Sequence, residues 1–212
     1  MKTYPDMETY PRRSHFEYFR HLAFPYVGFT ANVDVTGPLK FARAHGGSGF
    51  HAILWTASRA ANAVPELRQR IEDDRIVEFA HCNVGHTVAL PDHTFCNCTT
   101  DCRRSLEEFL PYARAMQDAA ATHHGFVNQN EDESGMIFTS CVPWVEFIQC
   151  IQPAPIPADC NPRIVFGKYI REGERTRMPL HIQCNHALVD GYHLSEFYRL
   201  FQEFADEIEA QL

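Results

Sequence analysis

The segment Cys184-Asn185-His186-Ala187-Leu188-Val189-Asp190-Gly191-Tyr192-His193 places an imidazole four residues before an Asp-Gly. An alternating run precedes it and a strongly amphipathic stretch follows. A histidine held at a strand end by a rigid neighbour is how proteins build a general base that works near neutral pH. In that reading His186 is the base and Asp190 anchors its loop. The plain alternative is a core histidine followed by an ordinary Asp-Gly turn. His186, Asp190 and His193 also compose a 2-His-1-carboxylate metal set, but they straddle a strand-to-helix turn, where neither period converges them.

Other clusters carry weaker chemistry. Cys96, Cys98 and Cys102 suggest zinc, yet a structural site wants four ligands, usually in spaced pairs, and no second pair is present. Cys96 and Cys98 share one face of a strand and are expected to be buried thiols acting as small hydrophobes. Gly46-Gly47-Ser48-Gly49 lacks the Lys-Ser/Thr of a phosphate loop and the spacing of a dinucleotide fingerprint, so it is one helix stopping and another starting. His123-His124-Gly125 is expected to be a helix C-terminus, where cationic imidazoles suit the dipole. No metal is expected.

The elements that must position these residues follow from periodicity. Ser14 to Arg20 is expected as a short helix, with Ser14 as N-cap and Glu17 completing a capping box. Tyr26 to Val35 alternates as a strand ended by Thr36-Gly37-Pro38, followed by helices over Leu39–His45 and Phe50–Val64, the latter capped by Ser48 and stopped by Pro65. Strands are expected over 75–80, 85–90, 93–98, 136–141, 145–151, 163–170 and 180–185. Ser105 to Thr122 is a helix that Pro111 kinks or delays. Leu194, Phe197, Phe201, Phe204 and Ile208 recur at i, i+3, i+7, i+10 and i+14, a terminal helix. A strand-rich middle with flanking helices predicts an α/β (α+β) two-layer sandwich with a mixed β-sheet, in a single domain over 1–212.

With 212 residues the chain can bury roughly 70% of its unfolded surface. A net charge of −8 argues against binding a nucleic-acid backbone. Neither an apolar leader nor a membrane-spanning run is found, so the expected compartment is the cytoplasm, where eight cysteines remain thiols.

Three separated segments, read together, identify a family. Arg12-Arg13-Ser14-His15-Phe16-Glu17, Thr139-Ser140-Cys141-Val142-Pro143-Trp144-Val145 and His186 to His193 resemble, in order and spacing, the trimeric (type A) chloramphenicol acetyltransferases. Pro65-Glu66-Leu67-Arg68 with Asp73-Asp74, and Lys168-Tyr169 with Glu172-Gly173, also look like that family, so the resemblance spans nearly the whole chain. The histidine-to-Asp-Gly spacing alone is shared with condensation domains and dihydrolipoyl acyltransferases.

The resemblance implies a CoA-dependent acyltransferase fold and the direct transfer of acetyl from acetyl-CoA to a hydroxyl of chloramphenicol, without an acyl-enzyme. It implies that His186 removes the hydroxyl proton, that Ser140 stabilises the oxyanion, and that Asp190 pairs with Arg12 to hold the loop. It places Lys168 and Tyr169 at coenzyme A and Phe19, Phe95, Cys150, Gln152 and Val165 around the acceptor. It implies a homotrimer whose sites lie between subunits. Three departures stand out. Asn185 replaces the first histidine of the family's usual pair, Val165 replaces a threonine that holds a water, and Cys150 and Gln152 replace larger apolar groups. The reaction is therefore expected to persist, with chloramphenicol as the leading acceptor; the alternatives are the same chemistry on another hydroxylated small molecule or a ligand-binding trimer without turnover.

Overall fold

The runs Tyr26–Asp34 and Arg175–Asn185 pair antiparallel along nearly their whole length, from Arg177 opposite Asp34 to Asn185 opposite Tyr26. His186 thus emerges directly from a strand anchored over nine register positions. The computed structural model describes residues 1–122 and 133–212. In chain order its elements are β1 (Lys2–Thr3), α1 (Arg13–Phe19), β2 (Tyr26–Asp34), α2 (Thr36–Ala44), α3 (Gly49–Ala63), a 3-10 turn (Pro65–Arg68), β3 (Gln69–Glu72), β4 (Arg75–Phe79), β5 (Asn83–Ala89) and β6 (Phe95–Thr100). There follow α4 (Leu106–Ala120), a second 3-10 turn (Glu133–Gly135), β7 (Met136–Cys141), β8 (Arg163–Phe166), β9 (Ile170–Glu172), β10 (Arg175–Asn185) and α5 (Gly191–Glu209).

Among the described residues, seven strands form a mixed sheet in the order β2-β10-β8-β7-β5-β6, with β9 also beside β10. The β5–β7 and β7–β8 pairs are parallel and the others antiparallel. Helices pack on one face, where Ile137, Ile164, Leu180, Ile182 and Cys184 share a core with Ile53, Leu54 and Ala57 of α3 and Leu194, Phe197 and Phe201 of α5. This is the expected two-layer sandwich. The terminal helix earns its place through Phe197 and Phe201, both fully buried and each contributing about 1.5–3 kcal/mol. Strand alternation turns Thr30, Thr87, Ser140, Val165, His181 and Gln183 to the other face.

Several expectations need correction. Helix α1 starts at Arg13 with Arg12 as an N-cap that makes no side-chain cap bond, so Ser14 already lies inside the first turn and forms no capping box. Helix α2 starts at Thr36, because Asp34 Oδ1 accepts from the Thr36 N–H at 2.8 Å. Pro38 falls within its first turn, where a missing N–H costs nothing. Ser48 is the N-cap of α3 but makes no side-chain cap bond. Helix α4 begins with a Ser105–Glu108 capping box and runs through Pro111 without delay.

Val145–Ile151 is not a strand: among the described residues it joins no strand ladder, and Ile148 and Ile151 are 92% and 77% exposed. The single strand expected over 163–170 ends at Phe166 as β8; after the break at Gly167-Lys168-Tyr169 a separate strand, β9, starts at Ile170 and runs on to Glu172. The break falls opposite Pro179 of β10, which has no N–H to offer, and Gly167 accepts the close approach because any Cβ there would meet Pro179 Cγ at 2.4 Å. The short strands β1 and β3 lacked enough alternation to be foreseen. His123-His124-Gly125 lies outside the described residues. Cys96 and Cys98 are buried beside Val88, Leu90 and Ala120, as small hydrophobes would be. Among the described residues no helix is long and apolar enough to cross a membrane.

A buried histidine pair couples this fold to pH. His86 of β5 lies beside His51 of α3, with ring centroids 6.2 Å apart. Burial, reinforced by the His51 ring, pushes His86 down to about 4. The unfolded chain therefore binds more protons between its ordinary 6.5 and that value, so stability is complete above pH 6.5 and falls as the pH drops towards 4. At pH 5 the expected loss from His86 is about 2 kcal/mol relative to pH 7.5. Urea midpoints at the two pH values measure it, and His86→Phe should flatten most of the difference. An equal slope in that variant would assign the acid sensitivity elsewhere.

Candidate active site

The His186 loop is built by backbone and side chains together. Its N–H donates to Pro25 O at 2.7 Å, continuing the β10–β2 contact by one residue. The loop then turns within three residues, and Nδ1–H of His186 donates to Val189 O at 2.8 Å. A carbonyl only accepts, so this bond puts the ring proton on Nδ1 and leaves Nε2 as an open acceptor. Phe19 stacks on the imidazole with centroids 3.9 Å apart and planes 23° from parallel, limiting rotation of the ring.

Asp190 holds the loop from its far end. Its Oδ1 accepts from the Tyr192 N–H at 3.0 Å, capping α5. Its Oδ2 pairs with Arg12, whose second guanidinium nitrogen donates to His186 O at 3.3 Å. Burial pushes the Asp190 carboxyl up, but Arg12, His193 and the Tyr192 N–H outweigh it and hold the group below the usual carboxylate range. Both oxygens of Asp190 are thus committed to neighbours within the chain, an arrangement that gives the metal-ligand alternative no support.

Ser140 occupies a different place. The parallel β5–β7 pairing ends at His86 opposite Thr139, although both strands continue. Beyond that point the backbones separate, and Thr87 Oγ1 and Ser140 Oγ bridge the gap at 3.2 Å. With Thr87 donating, the Ser140 proton is left free for another acceptor. Two cavities border the gap. One, of about 1190 Å³, opens towards the helices and is lined by Arg43, Phe50, Gln117, Trp144 and Tyr169. The other, of about 520 Å³, is lined by Asn97, Thr99, Phe138, Gln152 and Arg163. Thr87, Phe95 and Ser140 line both.

The residues singled out from sequence sort as follows. Tyr169 lines the larger cavity, whereas Lys168 is an exposed neighbour whose N–H donates to Val145 O and whose side chain is not on that wall. Phe95 and Gln152 lie with Ser140, and Val165, fully buried, is the strand neighbour of Ser140 and offers no hydroxyl. Cys150 does not share the Ser140 cavity but lines a third, of about 460 Å³, with Phe24, His181 and Gln183. Its tie to Gln152 is local, with Nε2 of Gln152 3.2 Å from its sulfur. Thr87, Arg43 and Gln117 were not foreseen, and nothing in their local spacing marks them. Trp144 lines the larger cavity and is 75% exposed.

The chain does not bring its two principal groups together. Ser140 is in register with Val165, and Val165 with His181, so His186 stands five residues further along and two strands over. With ~3.3 Å per residue and ~4.8 Å per strand, their separation is about 19 Å. His186 lines neither of the cavities that Ser140 lines.

The comparisons with known proteins agree in one direction. A family model described as "Chloramphenicol acetyltransferase" matches residues 2–202. A chloramphenicol acetyltransferase of Klebsiella sp is 27% identical over 209 residues, covering 95% of this chain and 93% of that protein. Chloramphenicol acetyltransferase 3 of Escherichia coli is 25% identical over 203 residues, covering 95% of each. A solved chloramphenicol acetyltransferase structure superposes with a TM-score of 0.89 at 28% identity, covering 97% of this chain and 100% of that one. A probable dihydrolipoamide acetyltransferase of Listeria monocytogenes shares the fold at 15% identity and a TM-score of 0.69, covering 96% and 95%.

Proposed function

The chain belongs to the chloramphenicol acetyltransferase family and is an acyltransferase, and we propose that it moves the acetyl group of acetyl-CoA to a hydroxyl of chloramphenicol in a ternary complex. The observation that carries this reading is the gap at Ser140, whose hydroxyl, with Thr87 and Phe95, lines two cavities. The larger cavity suits the donor: Arg43 offers a cation to phosphate, and Trp144 and Tyr169 offer faces to an adenine ring. The smaller suits the acceptor. All of residues 1–212 serve as one catalytic domain.

The chemistry needs few parts. Nε2 of His186 takes the proton of the acceptor hydroxyl, and the oxygen attacks the thioester carbon. The oxyanion that forms accepts from the Ser140 hydroxyl, a donor worth about 2.7–4 kcal/mol of barrier. Collapse breaks the C–S bond, and the imidazolium returns its proton to the departing thiolate. Arg12 and Asp190 act by holding the loop.

The separation of His186 from Ser140 supports a site shared between copies of the chain, arranged as a homotrimer. The bare sides of Ile148, Ile151 and Ile156, 77% to 98% exposed, support a second copy covering that segment. Gln152, Asn97 and Thr99 around Ser140 favour, as a second reading, a more polar alcohol as the natural acceptor.

Mixing the protein with acetyl-CoA and chloramphenicol and following thiol release tests both readings. Release with chloramphenicol supports the first. Release only with other alcohols in a panel supports the second, and tight coenzyme A binding without release from any alcohol would leave a binding protein.

A further inference from the structure

Two conspicuous residues have no part in the chemistry above: His193, on the first turn of α5, and Glu66, in the 3-10 turn Pro65–Arg68. The structure brings them together. His193 is 8% exposed, and its Nε2 lies 3.6 Å from Glu66 Oε1. Its Nδ1 lies 3.1 Å from the Asp190 amide nitrogen and 2.8 Å from Asp190 Oδ1. Either placement of the ring proton therefore grips Asp190. A bare Nδ1 accepts from the amide, and a protonated Nδ1 donates to the carboxylate.

The Asp190 amide has a second identity: it belongs to the same peptide unit as the Val189 carbonyl. That carbonyl accepts the Nδ1–H of His186 at 2.8 Å. A trans peptide is planar, so its N–H and C=O point in opposite directions and turn together. One rigid plane therefore connects the two imidazoles, with His193 on its N–H side and His186 on its C=O side. Arg12 holds the other oxygen of Asp190, and helix α5 keeps its Tyr192 N–H cap with or without His193.

We infer that His193 is a positioning residue for His186. It fixes the Val189–Asp190 peptide, and through that carbonyl the tautomer and direction of the base; Glu66 braces it from the 3-10 turn. The inference rests on the assignment of His186 as the base.

The test is steady-state kinetics of His193→Phe, His193→Asn and His193→Gln beside the wild type and His186→Ala. Phenylalanine fills the space without a polar atom, and a base displaced by about 1 Å costs up to about 100-fold, so kcat should fall about 10–100-fold. Both KM values should stay within about twofold, because substrate contacts are untouched. Asparagine puts its amide where Nδ1 stood and should keep most of kcat; glutamine reaches towards the Nε2 position and should resemble phenylalanine. A folded His193→Phe with wild-type kcat, or a change confined to KM, overturns the inference. If His193→Phe does not fold, equal kcat in the asparagine and glutamine variants overturns it, and asparagine well above glutamine supports it. A fully active His186→Ala defeats the base assignment itself, whereas an inactive His186→Ala beside an unaffected His193→Phe defeats only the role of His193.

Discussion

Replacing His186 with alanine is expected to lower kcat by about 10²–10⁴-fold while leaving both KM values nearly unchanged. The size follows from what the ring does. A neutral alcohol attacks a thioester slowly until a base within hydrogen-bond reach accepts its proton. Nδ1 of the imidazole is committed to Val189 O, and the stacked Phe19 holds the ring in that setting with Nε2 available to a substrate. No binding energy for either substrate need come from Nε2, so the loss should appear in turnover rather than affinity. The measurement is thiol release at saturating acetyl-CoA with varied acceptor, and then the reverse. Ser140→Ala provides the internal comparison: loss of one oxyanion donor should cost about 10²–10³-fold. A His186→Ala enzyme within tenfold of the wild type would remove the general-base mechanism, whatever the acceptor proves to be.

How much of this was legible in the sequence depended on the range of the interaction. Helix α5 was plain because Leu194, Phe197, Phe201 and Ile208 are all buried on one stripe, and a stripe is a local property. The His186 loop was legible as chemistry for the same reason: Asp190 caps the helix within two residues, and the tautomer is set within three. The expected strand over Val145–Ile151 failed because alternation reports which sides of a segment differ, not whether a neighbour exists to pair with. Cys150 went to another cavity from Gln152 because residues two apart face the same way only in regular strand, and that segment is irregular. The Arg12–Asp190 contact spans 178 positions and was reached through family resemblance alone. His193 was visible in the motif, but its partner Glu66 lies on a turn whose placement no periodicity describes. The gap at Ser140 could not be read either, since it arises where two paired strands stop pairing.

Two inactive variants should restore each other. His186→Ala and Ser140→Ala, each nearly dead alone, are expected to regain activity when co-expressed or unfolded and refolded together. The reason is distance. With His186 and Ser140 about 19 Å apart in one chain, no motion of side chains closes the site internally. In the proposed trimer a working site takes its imidazole from one copy and its hydroxyl from another. Around a three-membered ring, every mixed trimer then holds a single site with both groups intact, and random assortment gives about a quarter of the wild-type sites. Equal mixing should accordingly restore roughly a quarter of wild-type kcat per chain, with wild-type KM values, because the repaired sites are chemically whole. Simple mixing of the folded proteins should restore activity only as fast as subunits exchange, which separates assembly from any effect of added protein. A site confined to one chain predicts no recovery under either protocol, since each copy would keep its own defect. Light scattering on the same samples reports the assembly state, so an absence of recovery in a true trimer would place His186 and Ser140 in separate sites and end the shared mechanism.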